Sequence, residues 1–433
     1  MTDRPSRLRR ALRAVALDAG LLRRRRDYRL MIGGQFVSLA GSELTFVAVP
    51  FQTFQITHSS LAVGLLGVAE FVPILALALV GGALADAFDR RRLVALSESG
   101  SAVVAIGLVV NALLPDPHLW VLYAGAALMA AFMALRRPPL DALVPQLVER
   151  DELKAAAAID FLTGNIGMVA GPALAGLLIA VAGLELTYAI DAATFVVSLL
   201  ALRAMRTPPP PPGAPAPSWR SVVEGVRYAG SRQELLGTYL VDMNAMFFGM
   251  PLALFPAISE RYGGPGVLGV MYAAPAVGAA LAAVTSGWTR HVHRHGRAVA
   301  LAASGWGAAM VVFGITDALV PALACLAVAG AMDSISGLFR STIWNETVPA
   351  HLRGRLAGIE MLSWSSGPTL GGAEAGAVAS LAGLRASVIS GGVLCVAGTA
   401  LLVLLMPRFW AYDARSPADT VPPPAHGPAP APP

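Results

Sequence analysis

The fold class this sequence predicts is all-α: a polytopic membrane protein with twelve transmembrane helices in two six-helix, pseudo-symmetric bundles. Three observations predict it. The chain of 433 residues is 55% hydrophobic and 14% charged, against about 25% charged in an ordinary soluble domain. Its apolar residues gather into runs of membrane length, which takes roughly 20 residues. Of its 32 basic residues, only Arg261 and Arg385 fall on one of the two sides that these runs define.

In order, the spans are expected near 31–56, 61–84, 93–114, 118–135, 155–181 and 185–205, then 235–258, 266–287, 298–316, 319–340, 356–382 and 386–406. Short loops separate most of them. The longest break, 207–234, contains PPPPPGAPAP, a stiff stretch that does not span as a helix. The chain therefore divides into a basic N-terminal segment (1–30), a first bundle (31–206), a central loop (207–234), a second bundle (235–407) and a tail (408–433). The tail, rich in proline and alanine from Pro417, is expected to be disordered. Residues 1–29 carry ten arginines and no cleavable apolar core, so they are not a secretion signal. Arg7 to Arg26 fits either a basic helix on the membrane surface or a disordered tail.

Arginine placement orients the chain by the positive-inside rule. Arg90 to Arg92, Arg136, Arg137, Arg150, Arg203, Arg206, Arg290, Arg294, Arg297, Arg353, Arg355 and Arg408 share a side with the N-terminal arginines. Both termini are expected in the cytoplasm. The net charge of +5 therefore reads as membrane orientation and not as a nucleic-acid surface. Lys154 is the one lysine, a bias assigned to genome composition. Cys325 and Cys395 lie inside apolar runs, so no structural disulfide is expected.

Two motifs carry mechanical meaning. Residues 82–92 read GALADAFDRRR, ending the second span in Gly82 and Asp86 and opening the third with Arg90, Arg91 and Arg92. The fifth span contains Gly167-x-x-x-Gly171-Pro172 and Gly176, and the eleventh contains Gly367-Pro368 followed by Gly371 and Gly372. A proline inside a helix removes one hydrogen bond and bends the axis, while the glycines admit a neighbouring helix. Val144-Pro145 and Val348-Pro349 precede these two spans, which reads as a duplicated half. Chance occurrence of Gly-Pro, and plain packing, are the bland alternatives.

The 82–92 segment resembles the signature loop of the major facilitator superfamily of secondary transporters, although Ala87 stands where a basic residue is usual and Asp89 where glycine is usual. The Gly-Pro pattern of the fifth span resembles the antiporter motif of that superfamily, with Ala175 replacing a glycine. Asp89-Arg90-Arg91, PPLDALVPQLVERDELKAAAAID (138–160) and the stretch from Val348 to Arg355 resemble the branch of siderophore exporters and macrolide efflux proteins. The resemblance implies alternating access, with Gly82, Asp86, Arg90 and Arg91 gating and the Gly-Pro residues as hinge. Asp151 and Glu152 are expected to cap the fifth helix.

Carboxylates inside spans cost roughly 2.5–3.5 kcal/mol each at a helix centre, so they face a cavity or a partner. They are Glu43, Glu70, Glu98, Asp160, Asp191, Asp242, Asp333, Glu360 and Glu374. Glu98, Asp160 and Glu360 lie near the basic side, within reach of headgroups or loop arginines. Asp191 suits a hydrogen bond between helices. Glu43, in mid-span with no basic residue nearby in sequence, is the first choice for proton coupling, and Asp242 in the seventh span is the second. A buried hydrogen-bonding role is the alternative for both. Arg340 is read as an anchor at the end of the tenth span. No cation then stands ready for an acidic cargo, which favours neutral or cationic molecules.

His291, His293 and His295 alternate in a loop and read as solvated positive charge, not a metal site. No phosphate-cradling loop and no catalytic triad emerge, so neither cofactor nor enzyme is expected. Expected partners are a small-molecule substrate, protons and membrane lipids, with no nucleic acid, and a monomer in a bacterial cytoplasmic membrane. The expected activity is proton-driven export of a small organic molecule. The alternatives are an importer or facilitator of the same fold, or a membrane component that transports nothing.

Overall fold

The computed structural model describes residues 20–87, 89–206, 227–349 and 353–415, and within these the side chains of 78–87 and of most of 353–364 are not described. Expectations for residues 1–19, the polyproline stretch and the tail from 416 fall outside these residues. Every regular element among the described residues is helical. They run α1 (Gly20–Arg24), α2 (Arg26–Thr57), α3 (Ser60–Ala87), α4 (Arg90–Ala112), α5 (Leu119–Leu147) and α6 (Leu153–Ala204). After the central connection come α7 (Gln233–Gly249), α8 (Phe255–Tyr262), α9 (Pro265–Val284), α10 (His295–Ile315), α11 (Leu319–Thr347), α12 (Arg353–Ala382), α13 (Leu384–Leu405) and α14 (Pro407–Ala411). Among the described residues, ten helical segments are long and apolar enough to cross a membrane.

At 1.5 Å per residue, α6 as one rod would be about 78 Å long, over twice a hydrocarbon core of ~30 Å. Gly183 breaks it, with φ 81° and ψ 176°. A β-carbon disfavours that backbone, so glycine sets the corner. Gly383, with φ 91° and ψ 159°, makes the same corner between α12 and α13. The corresponding point of each half of the chain thus turns on one extended, left-side glycine.

Three helices depart from their expected bounds. The span expected at 235–258 is interrupted. Pro251 drives Met250 out of helical geometry (φ −118°, ψ 82°), and a short 3₁₀ turn, Leu252–Leu254, precedes α8. The break leaves the Gly249 carbonyl without its helical donor, and Trp306 Nε1 supplies one at 2.7 Å. Helices α5 and α11 run past their expected ends at 135 and 340 to Leu147 and Thr347. Apolar runs stop at the first charge, but a helix needs no apolar residue to continue beyond the membrane.

Helices before the central connection pack mainly on one another, α2 on α6, α4 on α5 and α6, α3 on α5; the later ones pair α9 with α11, α10 with α11 and α13, α7 with α12. The two groups meet chiefly where α3 lies on α12 and α6 lies on α9. These crossings are backbone on backbone. A β-carbon on Gly64 would overlap the Gly372 carbonyl, and one on Gly376 would stand 2.5 Å from the Ser60 carbonyl oxygen. One on Gly176 would stand 2.7 Å from the Gly269 Cα. All of these glycines lie toward the chain turns opposite the arginine-rich loops, so the groups are joined at that end.

Candidate functional site

Glu43 stands on α2 between two attachments to the second part of α6. Gly41 leaves just enough room for Thr194 and Asp191, and one turn later Thr45 donates a hydrogen bond to the Asp191 carboxylate. Thr194 Oγ1 also approaches Asp191, at 3.4 Å. Asp191, fully buried, therefore does what its position suggested and ties two helices together. On another side of α2, Gly167 faces Leu39 and Gly171 faces the Glu43 side chain and the Ala40 carbonyl. The Glu43 carboxylate itself is half-buried and makes no hydrogen bond or ion pair among the described residues.

The fifth-span motif has a second set of contacts. Pro172 presents its carbonyl to Gly269 of α9, and Gly176 meets Gly269 and the Pro265 carbonyl. One stretch of α6 thus touches the Glu43 helix through Gly167 and Gly171 and the other helix group through Pro172 and Gly176. The later motif repeats the plan: Gly367 faces Met246 of α7, Gly371 faces the Phe247 backbone, and Gly372 and Gly376 face α3. At the place that matches Glu43 the second group carries Met246 and Phe247, so the partnerless carboxylate is not duplicated.

The reading of Arg340 as an anchor is corrected. Its Nη1 lies 2.6 Å from Asp242 Oδ2 and its Nη2 lies 3.4 Å from Asp333 Oδ1. Asp242 is 4% exposed and Arg340 20%, so α7 and α11 are joined by a nearly dry ion pair. Asp242 is therefore not an isolated carboxylate as Glu43 is. Arg136 occupies the matching place: it and Arg340 each precede a Val-Pro pair by eight positions (136 to 144, 340 to 348). Arg136 Nη1 donates to Glu98 Oε1 at 2.7 Å and to Ser38 Oγ at 2.9 Å. Gln35 Nε2 reaches the same Glu98 oxygen at 3.3 Å. The Val-Pro repeat was the signal that could have paired these arginines from sequence.

In the 82–92 segment, Gly82 and Asp86 belong to the last turns of α3, and the Asp86 side chain lies outside what is described. Asp89, the departure from the usual glycine, caps α4 by accepting from the Arg92 N–H at 3.2 Å. Arg90 Nη1 donates to the Ala142 carbonyl at 3.1 Å. Arg91 donates to the carbonyls of Leu202 and Arg203, both at 2.9 Å. These are last-turn acceptors of α6, where a cation also complements the helix dipole. Glu152 stands at the N-cap of α6 as expected, but its side chain makes no capping hydrogen bond to that helix. It accepts from the Glu149 N–H at 3.1 Å and pairs with Arg25 Nε at 2.8 Å, which fastens the entry of α2 to the α5–α6 turn. His295 is packed between the rings of Phe339 and Tyr412, not solvated.

Membrane-length helices in two mutually packed groups, glycine crossings between the groups and ionisable side chains inside the spans define a polytopic membrane transporter. The chain belongs to the transmembrane secretion effector family of the major facilitator superfamily, whose sequence profile matches residues 23–427. It is 32% identical over 402 residues to the enterobactin exporter EntS of Shigella dysenteriae serotype 1, covering 90% of this chain and 94% of that one. The EntS of Escherichia coli O1:K1 matches to the same extent. Among solved structures, a bacterial homologue of the human lysosomal transporter Spinster, inward-facing and unoccupied, superposes with a TM-score of 0.70 at 15% identity, over 88% of this chain and 97% of that one. The nucleoside transporter NupG superposes with a TM-score of 0.69 at 12% identity, over 89% of this chain and all of that one. At such identity these two show the fold.

Proposed function

We propose that this protein is a secondary exporter that moves a small organic molecule, of siderophore or drug type, out of the cell by proton antiport with alternating access. Twelve spans follow if α6 is counted as two helices about Gly183 and α12 is added to the ten apolar segments. They form bundles over 31–206 and 235–407, with the 1–30 segment, the 207–234 loop and the 408–433 tail in the cytoplasm. The protein works as a monomer, without a cofactor, among the lipids of the bacterial cytoplasmic membrane. With the basic loops inside, the glycine crossings lie at the outer end and the described state opens inward.

The observation that carries this reading is the position of Glu43. Like Glu70 of α3 and Glu374 of α12 it has no hydrogen-bond or ion-pair partner among the described residues, and of these three it is the one against which Gly171 of the antiporter-like motif presses, while Pro172 and Gly176 of that motif press on the other bundle. A proton on Glu43 is thereby in contact with the element that both bundles share. Asp242, with Arg340 as its resting partner, is the second coupling group, and Gly82, Asp86, Arg90 and Arg91 gate the inner side. The names of the exporter relatives support direction and cargo type.

The test compares uphill efflux and substrate exchange in reconstituted vesicles for Glu43→Gln. Glutamine keeps the shape and removes the titration, so proton-driven accumulation stops while exchange of labelled for unlabelled substrate continues. Accumulation against a gradient by Glu43→Gln would move the coupling role elsewhere.

A further inference from the structure

A cleft of about 490 Å³ lies between the two helix groups on the half of the molecule nearer the basic loops. Phe161 of α6 forms one wall, and Ile335, Leu338, Ser334 and Ser341 of α11 form the opposite one, with Ser286 beyond the end of α9. Its lining is a ring, four hydroxyls (Thr289 with the three serines) and aliphatic side chains, to which Ala282 and Ala283 add. Phe161 is 63% exposed, so its face is free. Gly337 also borders the cleft, and Asp333 precedes it by one helical turn on the same stripe of α11.

Asp333 does not itself line the cleft; it directly precedes Ser334 and stands one turn of α11 before Gly337, both of which do. It sits halfway along α11, yet its side chain is 42% exposed. A carboxylate facing lipid at that depth is strongly disfavoured, so the open side of Asp333 is the space between the groups. Its one cation, Arg340, is closer to Asp242 (2.6 Å against 3.4 Å) and shares the drier environment with it. Two carboxylates thus face one guanidinium, and Asp333 is the more exposed and the more distantly paired of the two. The Arg136 group differs: its single carboxylate, Glu98, is buried and fully bonded.

We propose that Asp333 and the cleft beside it bind a protonated amine carried on an apolar body. The carboxylate takes the ammonium group, the serine hydroxyls take its remaining hydrogens, and Phe161 covers the apolar part and offers a ring face to the charge. This rests on the export reading and names the cargo class for it. It also predicts a part for Asp242: by holding Arg340 away, it keeps Asp333 available.

The probe is dansylcadaverine, an amphipathic primary amine, set against its neutral N-acetyl derivative. Binding is measured by equilibrium dialysis to the full chain in phosphatidylcholine nanodiscs. The wild-type protein prefers the amine by about tenfold or more, the size of a charge-assisted hydrogen bond. Asp333→Asn, isosteric and half-exposed, brings the two ligands to equal affinity with an unchanged melting curve, and Asp333→Glu restores the preference. Asp242→Asn releases Arg340 onto Asp333 and weakens amine binding as well. Phe161→Leu lowers the affinity for both ligands and keeps their ratio. Equal binding of amine and acetamide by the wild type overturns the proposal, as does a preference that survives Asp333→Asn. If Asp242→Asn does not fold, the Asp333 pair of variants decides alone. Loss of proton-driven efflux with the amine preference intact refutes the export reading and leaves this site standing. Efflux without the preference does the reverse.

Discussion

Gly171 has no room for a β-carbon because the side chain of Glu43 lies against it. A glycine of the fifth-span motif and the partnerless carboxylate of the first span are thus in direct contact across two helices.

Gly171→Ala tests that contact. The added methyl meets Glu43 and the Ala40 carbonyl, both on a packed helix, and overpacking of this kind costs about 1–3 kcal/mol. A lowered melting temperature and impaired transport are expected. Gly164→Ala, about two turns earlier where nothing lies within 4 Å, is the control. Better helix propensity makes it neutral or slightly stabilising. Equal melting of the two variants would show that α2 and α6 are not in register as described.

Arg136→Met should be far more damaging than its polar position suggests. It strands Glu98, which is fully buried, and removing one partner of a buried pair costs about 3–5 kcal/mol. The double variant Arg136→Met with Glu98→Gln removes the stranded charge and recovers most of the folded yield. Monodisperse protein after size-exclusion chromatography is the measurement, and a double variant no better than Arg136→Met would contradict the pairing.

Acid should loosen the start of the first span. Glu152 lies in the α5–α6 turn, and its carboxyl is held below its ordinary 4.5, first by the Glu149 N–H and then by the Arg25 side chain. A depressed value in the folded state means that the contact stabilises above the ordinary value and is lost as pH falls through the folded one. Amide protection at residues 20–29 is therefore expected to be level down to about pH 4.5 and to fall below it. Glu152→Gln should be weakly protected throughout and should show no such step.

Much of this architecture was legible because a bilayer reads hydropathy directly. Apolar runs ended within a few residues of where α3, α9, α10 and α13 end. The Gly-Pro repeat pointed to the two helices that cross between the groups. What hydropathy does not encode is hydrogen bonding. The interruption after α7 was announced by Pro251, but an apolar sequence continues through it, and the Trp306 that repairs it is more than fifty positions away. Nor does a linear reading show which side chains a neighbouring helix brings to an arginine. Arg340, at the end of an apolar run, reads as an anchor, and nothing in the linear order shows that Asp242 of α7 faces it. Glu152 had both the charge and the place of a cap, and was claimed instead by Arg25, more than a hundred residues earlier. Glu43 stood out by the absence of nearby cations in sequence, and the fold brings none to it among the described residues.

The glycine crossings of α3 with α12 and of α6 with α9 have a consequence for how such an assembly can part. Where side chains intervene, a rotamer flip opens a gap by degrees, at nanosecond cost and with little disturbance behind it. Here Gly64 meets Gly372 and Gly176 meets Gly269 with main chain on main chain, so there is nothing to flip. Any parting of this joint therefore moves whole helices as units and cannot be made by side-chain rotamers alone.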